Sequence, residues 1–87
     1  MSLKLLRFGA IWCPPCNALK PIWEKIVGEY NDVEFEAVDI DESPKLATLY
    51  RIMSVPTIVF LKDGKVIDSM VGLQTEAEIK ERIERYK

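Results

Sequence analysis

Two residues in the chain stand out for their chemistry: Cys13 and Cys16, in the run Trp12-Cys13-Pro14-Pro15-Cys16. They are the only cysteines, and there is no histidine. Three roles are open to such a pair. As a structural staple it is poor, because a bridge between residues three apart closes a very short loop and removes little entropy from the unfolded chain. As a metal site it is half complete, because zinc takes four ligands; a second copy, or a cluster bridging two chains, would have to supply the rest. As a redox pair it is complete. One thiolate can attack a partner's disulfide to give a mixed disulfide, and the second sulfur, one turn along, can attack back and release the reduced partner. The two-residue spacer leaves the pair able to close into a disulfide.

That chemistry requires a thiolate near neutral pH, and the flanking elements provide one. Leu3 to Gly9 reads as a strand whose apolar residues crowd both faces. A helix follows from the cysteine run, with Leu19, Ile22, Trp23, Ile26 and Tyr30 at helical spacing and Pro21 inside it. Cys13 therefore falls at the helix N-terminus, where free amides and the helix dipole stabilise an anion and lower a thiol from its usual ~8.5. Cys13 is the expected nucleophile and the more exposed sulfur, and Cys16 is the resolving one. Pro14 and Pro15 fix φ and remove two possible amide donors, which leaves those of Cys16 and Asn17.

The remaining elements follow from pattern. Val33 to Asp39 alternates as a strand, with Val33, Phe35 and Ala37 inward. Ser43 and Pro44 open a short helix whose apolar face is Leu46, Leu49 and Tyr50. Thr57 to Leu61 and Val66 to Val71 are strands joined by a hairpin turn at Asp63-Gly64. Thr75 and Glu78 form a capping box before a last helix that turns Ile79, Ile83 and Tyr86 inward. The order β-α-β-α-β-β-α predicts an α/β fold: a four-stranded mixed sheet flanked by three helices, in one domain over residues 1–87.

Composition narrows the function. Hydrophobic residues make up 48% and charged residues 30%, as in a globular domain. The net charge of −2 is spread along the chain, which argues against a nucleic-acid footprint. No apolar run approaches the ~20 residues that span a bilayer, and no signal peptide is visible, so a cytoplasmic protein without membrane or nucleic-acid partners is expected.

On these residues the chain resembles the thioredoxin family. Phe8 to Cys16 is similar to the family's active-site strand and turn. Pro21 falls at its helix-kink proline, Val38-Asp39-Ile40-Asp41 at the end of its next strand, Val55-Pro56-Thr57 at its cis-proline segment, and Val71-Gly72 beside its active site. The family's first strand and helix have no counterpart, which makes the layout close to glutaredoxin.

The resemblance implies a thioredoxin-like fold and thiol–disulfide oxidoreductase activity on protein disulfides. It implies no bound cofactor beyond the redox-active cysteine pair, a thioredoxin reductase as partner, and a monomer. It also implies a cis Val55–Pro56 bond against the two sulfurs, with Trp12, Pro14, Pro15, Val55 and Gly72 shaping the substrate surface. A dedicated or glutathione-linked redox partner, and a non-catalytic binding module, are the alternatives.

Three departures stand out. The pair is spelled CPPC, as in tryparedoxin and nucleoredoxin sites, although the chain is far shorter than those proteins. Arg7 stands where the family has a buried carboxylate, and Ala37 where it has that carboxylate's lysine partner. Gly9 replaces an aromatic residue. Arg7 has two readings: its guanidinium reaches solvent or meets Glu36 across the strands, or it sits behind Cys16, stabilises a thiolate and makes the pair more oxidising.

Overall fold

The computed structural model describes residues 2–87. Its elements run β1 (Leu3–Gly9), α1 (Pro14–Glu29), β2 (Glu34–Asp39), α2 (Pro44–Leu49), β3 (Thr57–Lys62), β4 (Lys65–Val71) and α3 (Glu76–Tyr86). The order and types match the sequence expectation.

The four strands lie in the order β2-β1-β3-β4. β1 pairs parallel with β2, with Phe8 opposite Val38, because α1 crosses between them. It pairs antiparallel with β3, with Leu5 opposite Phe60. β3 and β4 form the expected hairpin, and Asp63 and Gly64 have φ of 51° and 84° as a two-residue turn requires.

The central strands β1 and β3 bury both faces, so their apolar residues divide by alternation. Leu3, Leu5, Ile58 and Phe60 meet Leu19, Trp23 and Ile26 of α1 and Ile79 and Ile83 of α3. Leu6, Phe8, Val59 and Leu61 face the other way, against Val38, Leu46 and Tyr50. Full burial of a side chain such as Phe8 or Phe60 is worth about 1.5–3 kcal/mol. These two layers clamp β1, and β1 delivers the chain to the cysteine run at a fixed point.

Three local expectations fail. Ala37 is exposed, because β2 is an edge strand; Val38 is the buried member of the pair. Leu49 is 70% exposed, since α2 is short and meets this layer through Leu46, with Tyr50 just past its end. Ser43 occupies the N-cap of α2 but its hydroxyl makes no cap bond. The preceding turn is held instead by Asp39, whose carbonyl accepts from the Ser43 amide at 2.9 Å and whose Oδ1 accepts from the Asp41 amide at 2.8 Å. The Thr75–Glu78 capping box forms in full.

Candidate active site

The chain leaves β1 at Gly9 and turns through Ala10 to Trp12, and the Cys13 amide donates to Ala10 O at 3.2 Å. Asn17 reaches back from α1 to hold Ile11 O at 3.2 Å. Cys13 is the N-cap of α1, and Pro14 and Pro15 are its first helical residues. Proline suits these positions because their amides lack intrahelical partners and their φ is already helical.

Cys13 and Cys16 are joined as a disulfide across this first turn, with Cα atoms 5.2 Å apart. The Cys16 amide donates to Cys13 Sγ at 3.3 Å, as an N-cap side chain accepts from the third helical amide. The Asn17 amide, expected as a second donor to this sulfur, goes to Cys13 O at 3.1 Å instead. One backbone donor therefore serves the Cys13 sulfur.

The two sulfurs do not differ in exposure as expected. Cys13 is 4% and Cys16 3% exposed in the disulfide form, because Ala10, Ile40 and Val55 pack over both. They differ in surroundings. Cys13 Sγ lies 3.7 Å from Val55 O. Cys16 lies against Gly9, where an added Cβ would meet Cys16 Sγ at 3.5 Å, an ordinary contact.

The Val55–Pro56 peptide is cis, and Pro56 is fully buried. Gly72 has φ 89°, a conformation that favours glycine, and its amide donates to Pro56 O at 2.8 Å. The end of β4 is thereby tied to the cis-proline segment.

Trp12, Cys13, Pro14, Pro15 and Val55 line one largely apolar cavity of about 470 Å³. Its far wall is Ile40, Ala47, Ile52 and Met53, residues to which sequence reasoning gave no site role. Met53 is 94% exposed, two residues before Val55, an apolar side chain left in water beside the cysteine pair that only the fold reveals. Asp41 was also missed: its carboxylate accepts from Trp12 Nε1 at 2.7 Å. Trp12 is 62% exposed, so it belongs to the surface and not to the core.

Arg7 does not meet Glu36, whose partner is Lys4 at 3.0 Å, and its side chain is partly buried. Its guanidinium carbon stacks 5.4 Å from the centre of the Trp23 ring, and its Nε is buried without a hydrogen-bond partner. Burial pulls its pKa below the ordinary value, and Glu24 opposes that shift. Arg7 and Cys16 line a second cavity of about 210 Å³. Among the described residues, no group of three or more His, Cys, Asp or Glu side chains could hold a metal ion, and no helix is long and apolar enough to cross a membrane.

The thioredoxin family model matches residues 1–85. A thioredoxin of Staphylococcus epidermidis is 35% identical over 86 residues, covering 98% of this chain and 83% of the relative. One from Staphylococcus aureus is 33% identical over the same length. Among solved structures, Fasciola hepatica thioredoxin superposes with a TM-score of 0.94 at 38% identity, over 99% of this chain and 82% of that one. Oxidised mitochondrial thioredoxin 3 of Saccharomyces cerevisiae gives 0.90 at 32% identity, over 97% and 78%. A cysteine pair bridging the first turn of a helix, faced by a cis-proline segment and matched along nearly the whole chain, places this protein in the thioredoxin family of thiol–disulfide oxidoreductases.

Proposed function

We propose that the chain, acting as a single monomeric domain over residues 1–87 in the cytoplasm, reduces disulfides of protein substrates, with Cys13 as nucleophile and Cys16 as resolving thiol. The observation that carries this assignment is the cap bond from the Cys16 amide to Cys13 Sγ at 3.3 Å. In the reduced protein the same amide and the helix dipole stabilise a thiolate at Cys13. The thiolate attacks one sulfur of the substrate disulfide, the other leaves as a thiolate, and a mixed disulfide forms. Cys16 loses its proton and attacks Cys13 Sγ, the Cys13–Cys16 bond forms, and the second substrate thiolate departs. Two electrons pass from the dithiol to the substrate.

The apolar cavity beside Cys13 supports the binding side of this reading. Trp12, Pro14, Pro15 and Val55 contact an extended substrate segment, Val55 through its backbone, while Pro56 and Gly72 hold that backbone in place. A thioredoxin reductase returns the disulfide to the dithiol.

The test is insulin reduction with dithiothreitol, then turnover with thioredoxin reductase and, separately, with glutathione. Cys13→Ser abolishes turnover, while Cys16→Ser accumulates a covalent mixed disulfide with substrate. Turnover with glutathione alone transfers the chain to the glutathione-linked class, and no turnover with either reductant makes it a binding module.

A further inference from the structure

The cavity of about 210 Å³ on Cys16 differs in character from the apolar groove beside Cys13. Gly9 contributes no side chain to it, and four charged residues line it: Arg7 from β1, Lys20 from α1, Asp39 from β2 and Glu42 from the following turn. Asp39 Oδ1 is occupied by the amides of Asp41 and Glu42, at 2.8 and 3.4 Å. Among the described residues, Arg7 Nε is the one buried side-chain nitrogen or oxygen with no hydrogen-bond partner. A buried donor left unpaired is costly, so its retention calls for a physical reason. The remaining charge acting on Arg7 is Glu24, on α1. A cavity of this size holds several waters.

We propose that Arg7, seconded by Lys20, is a positioning residue for the resolving step: it stabilises the Cys16 thiolate while that sulfur gives its proton to water in the cavity. In the disulfide form Arg7 Nε has no hydrogen-bond partner, and the resolving step creates an anion in the cavity that Arg7 and Cys16 both line. The reaction stays balanced: the proton goes to water, the Cys16 electron pair forms the new S–S bond to Cys13, and the substrate thiolate leaves. No carboxylate base is required. The inference rests on the assignment of Cys16 as the resolving thiol.

The experiment uses 5,5′-dithiobis(2-nitrobenzoate) on the fully reduced chain, followed by absorbance from pH 5 to 10. The first thionitrobenzoate released reads the attack by Cys13, and the second reads resolution by Cys16. Arg7→Met should leave the first phase unchanged and move the pH midpoint of the second up by about one unit. At pH 7 the thiolate fraction then falls roughly tenfold while each thiolate is ~3-fold more nucleophilic, so resolution slows roughly 3-fold. Above the new midpoint the order of rates reverses, which a merely structural defect would not produce. Arg7→Lys should restore most of the midpoint, and thermal unfolding of both variants checks that they fold. A second phase slowed equally at every pH, an unmoved midpoint, or a midpoint moved by Asp39→Asn and not by Arg7→Met overturns the proposal. If Cys13→Ser keeps the fast first release and Cys16→Ser loses it, the assignment of the resolving thiol has failed, not the role of Arg7 alone.

Discussion

Trp12 Nε1 donates to the carboxylate of Asp41 at 2.7 Å, and the bond joins the loop before Cys13 to the turn after β2. The indole is 62% exposed. Packing alone does not hold it, so the charged acceptor on Asp41 fixes the ring that forms one wall of the apolar cavity beside Cys13.

Asp41→Ala should therefore loosen the groove without unfolding the protein. Loss of about 1 kcal/mol of orientation corresponds to a roughly 5-fold rise in KM for insulin, with kcat nearly unchanged. Steady-state kinetics, with Trp12 fluorescence as a monitor of ring mobility, checks this. A fall in kcat at constant KM would contradict it.

The Cys13 sulfur has one backbone donor, and the position of the missing second one is specific. An N-cap side chain accepts from the second or third helical amide. The third is Cys16, and the second is Pro15, which has none. Pro15→Ala should lower the Cys13 pKa by about one unit, since a hydrogen bond to a charged group is worth about 1.5 kcal/mol or more. Pro14→Gly restores an amide at the first position and should move the pKa less. The pH dependence of iodoacetamide alkylation, in a Cys16→Ala background, measures both.

Arg51 ends α2 with φ of 55°. Its amide donates to Thr48 O at 3.1 Å and the Ile52 amide to Ala47 O at 2.9 Å, a helix ending in which glycine is the usual residue. Arg51→Gly should stabilise the fold by about 0.5–1 kcal/mol, or ~3–6 °C in Tm for a chain of this size. Calorimetry of the two proteins decides it.

Asp68 links β4 to α3, accepting from Tyr86 Oη and Arg82 at 2.5 Å each and from the Ser69 amide at 2.7 Å. Burial by itself would raise its pKa, but the Tyr86 hydroxyl, the Ser69 amide and Arg82 hold it below the ordinary 3.8. A depressed folded pKa contributes stability that is complete above the unfolded value and is lost as pH falls through the folded one. Asp68→Asn should cost about 1–3 kcal/mol at neutral pH. Its deficit against wild type should be constant above about pH 5 and close in more acidic solution. Urea unfolding across this range tests the sign.

What sequence revealed and what it hid divide along a physical line. The Asp63-Gly64 turn, the Thr75–Glu78 box and the helix opening at Pro14 depend on neighbours along the chain, and each forms as expected. The apolar runs of β1 and β3 likewise read as buried strands, and both are central in the sheet. Ala37, Leu49 and Arg7 depend on what lies across space: an edge strand, a helix too short to cover its own leucine, and a tryptophan one layer away. The near-equal burial of Cys13 and Cys16 belongs to this second kind, because Ile40 and Val55 cover both from elsewhere in the chain. So does the Trp12–Asp41 bond, which spans 29 residues.

Pro14 and Pro15 leave the Cys13 sulfur with a single backbone amide donor in the first turn of α1, that of Cys16. In a nitrogen-15 spectrum one cross-peak therefore stands for the electronic state of the pair. It sees a disulfide sulfur, a thiol, a thiolate or a mixed disulfide in turn, each with different acceptor strength. The protein carries, without any attached probe group, its own single-resonance gauge of redox state.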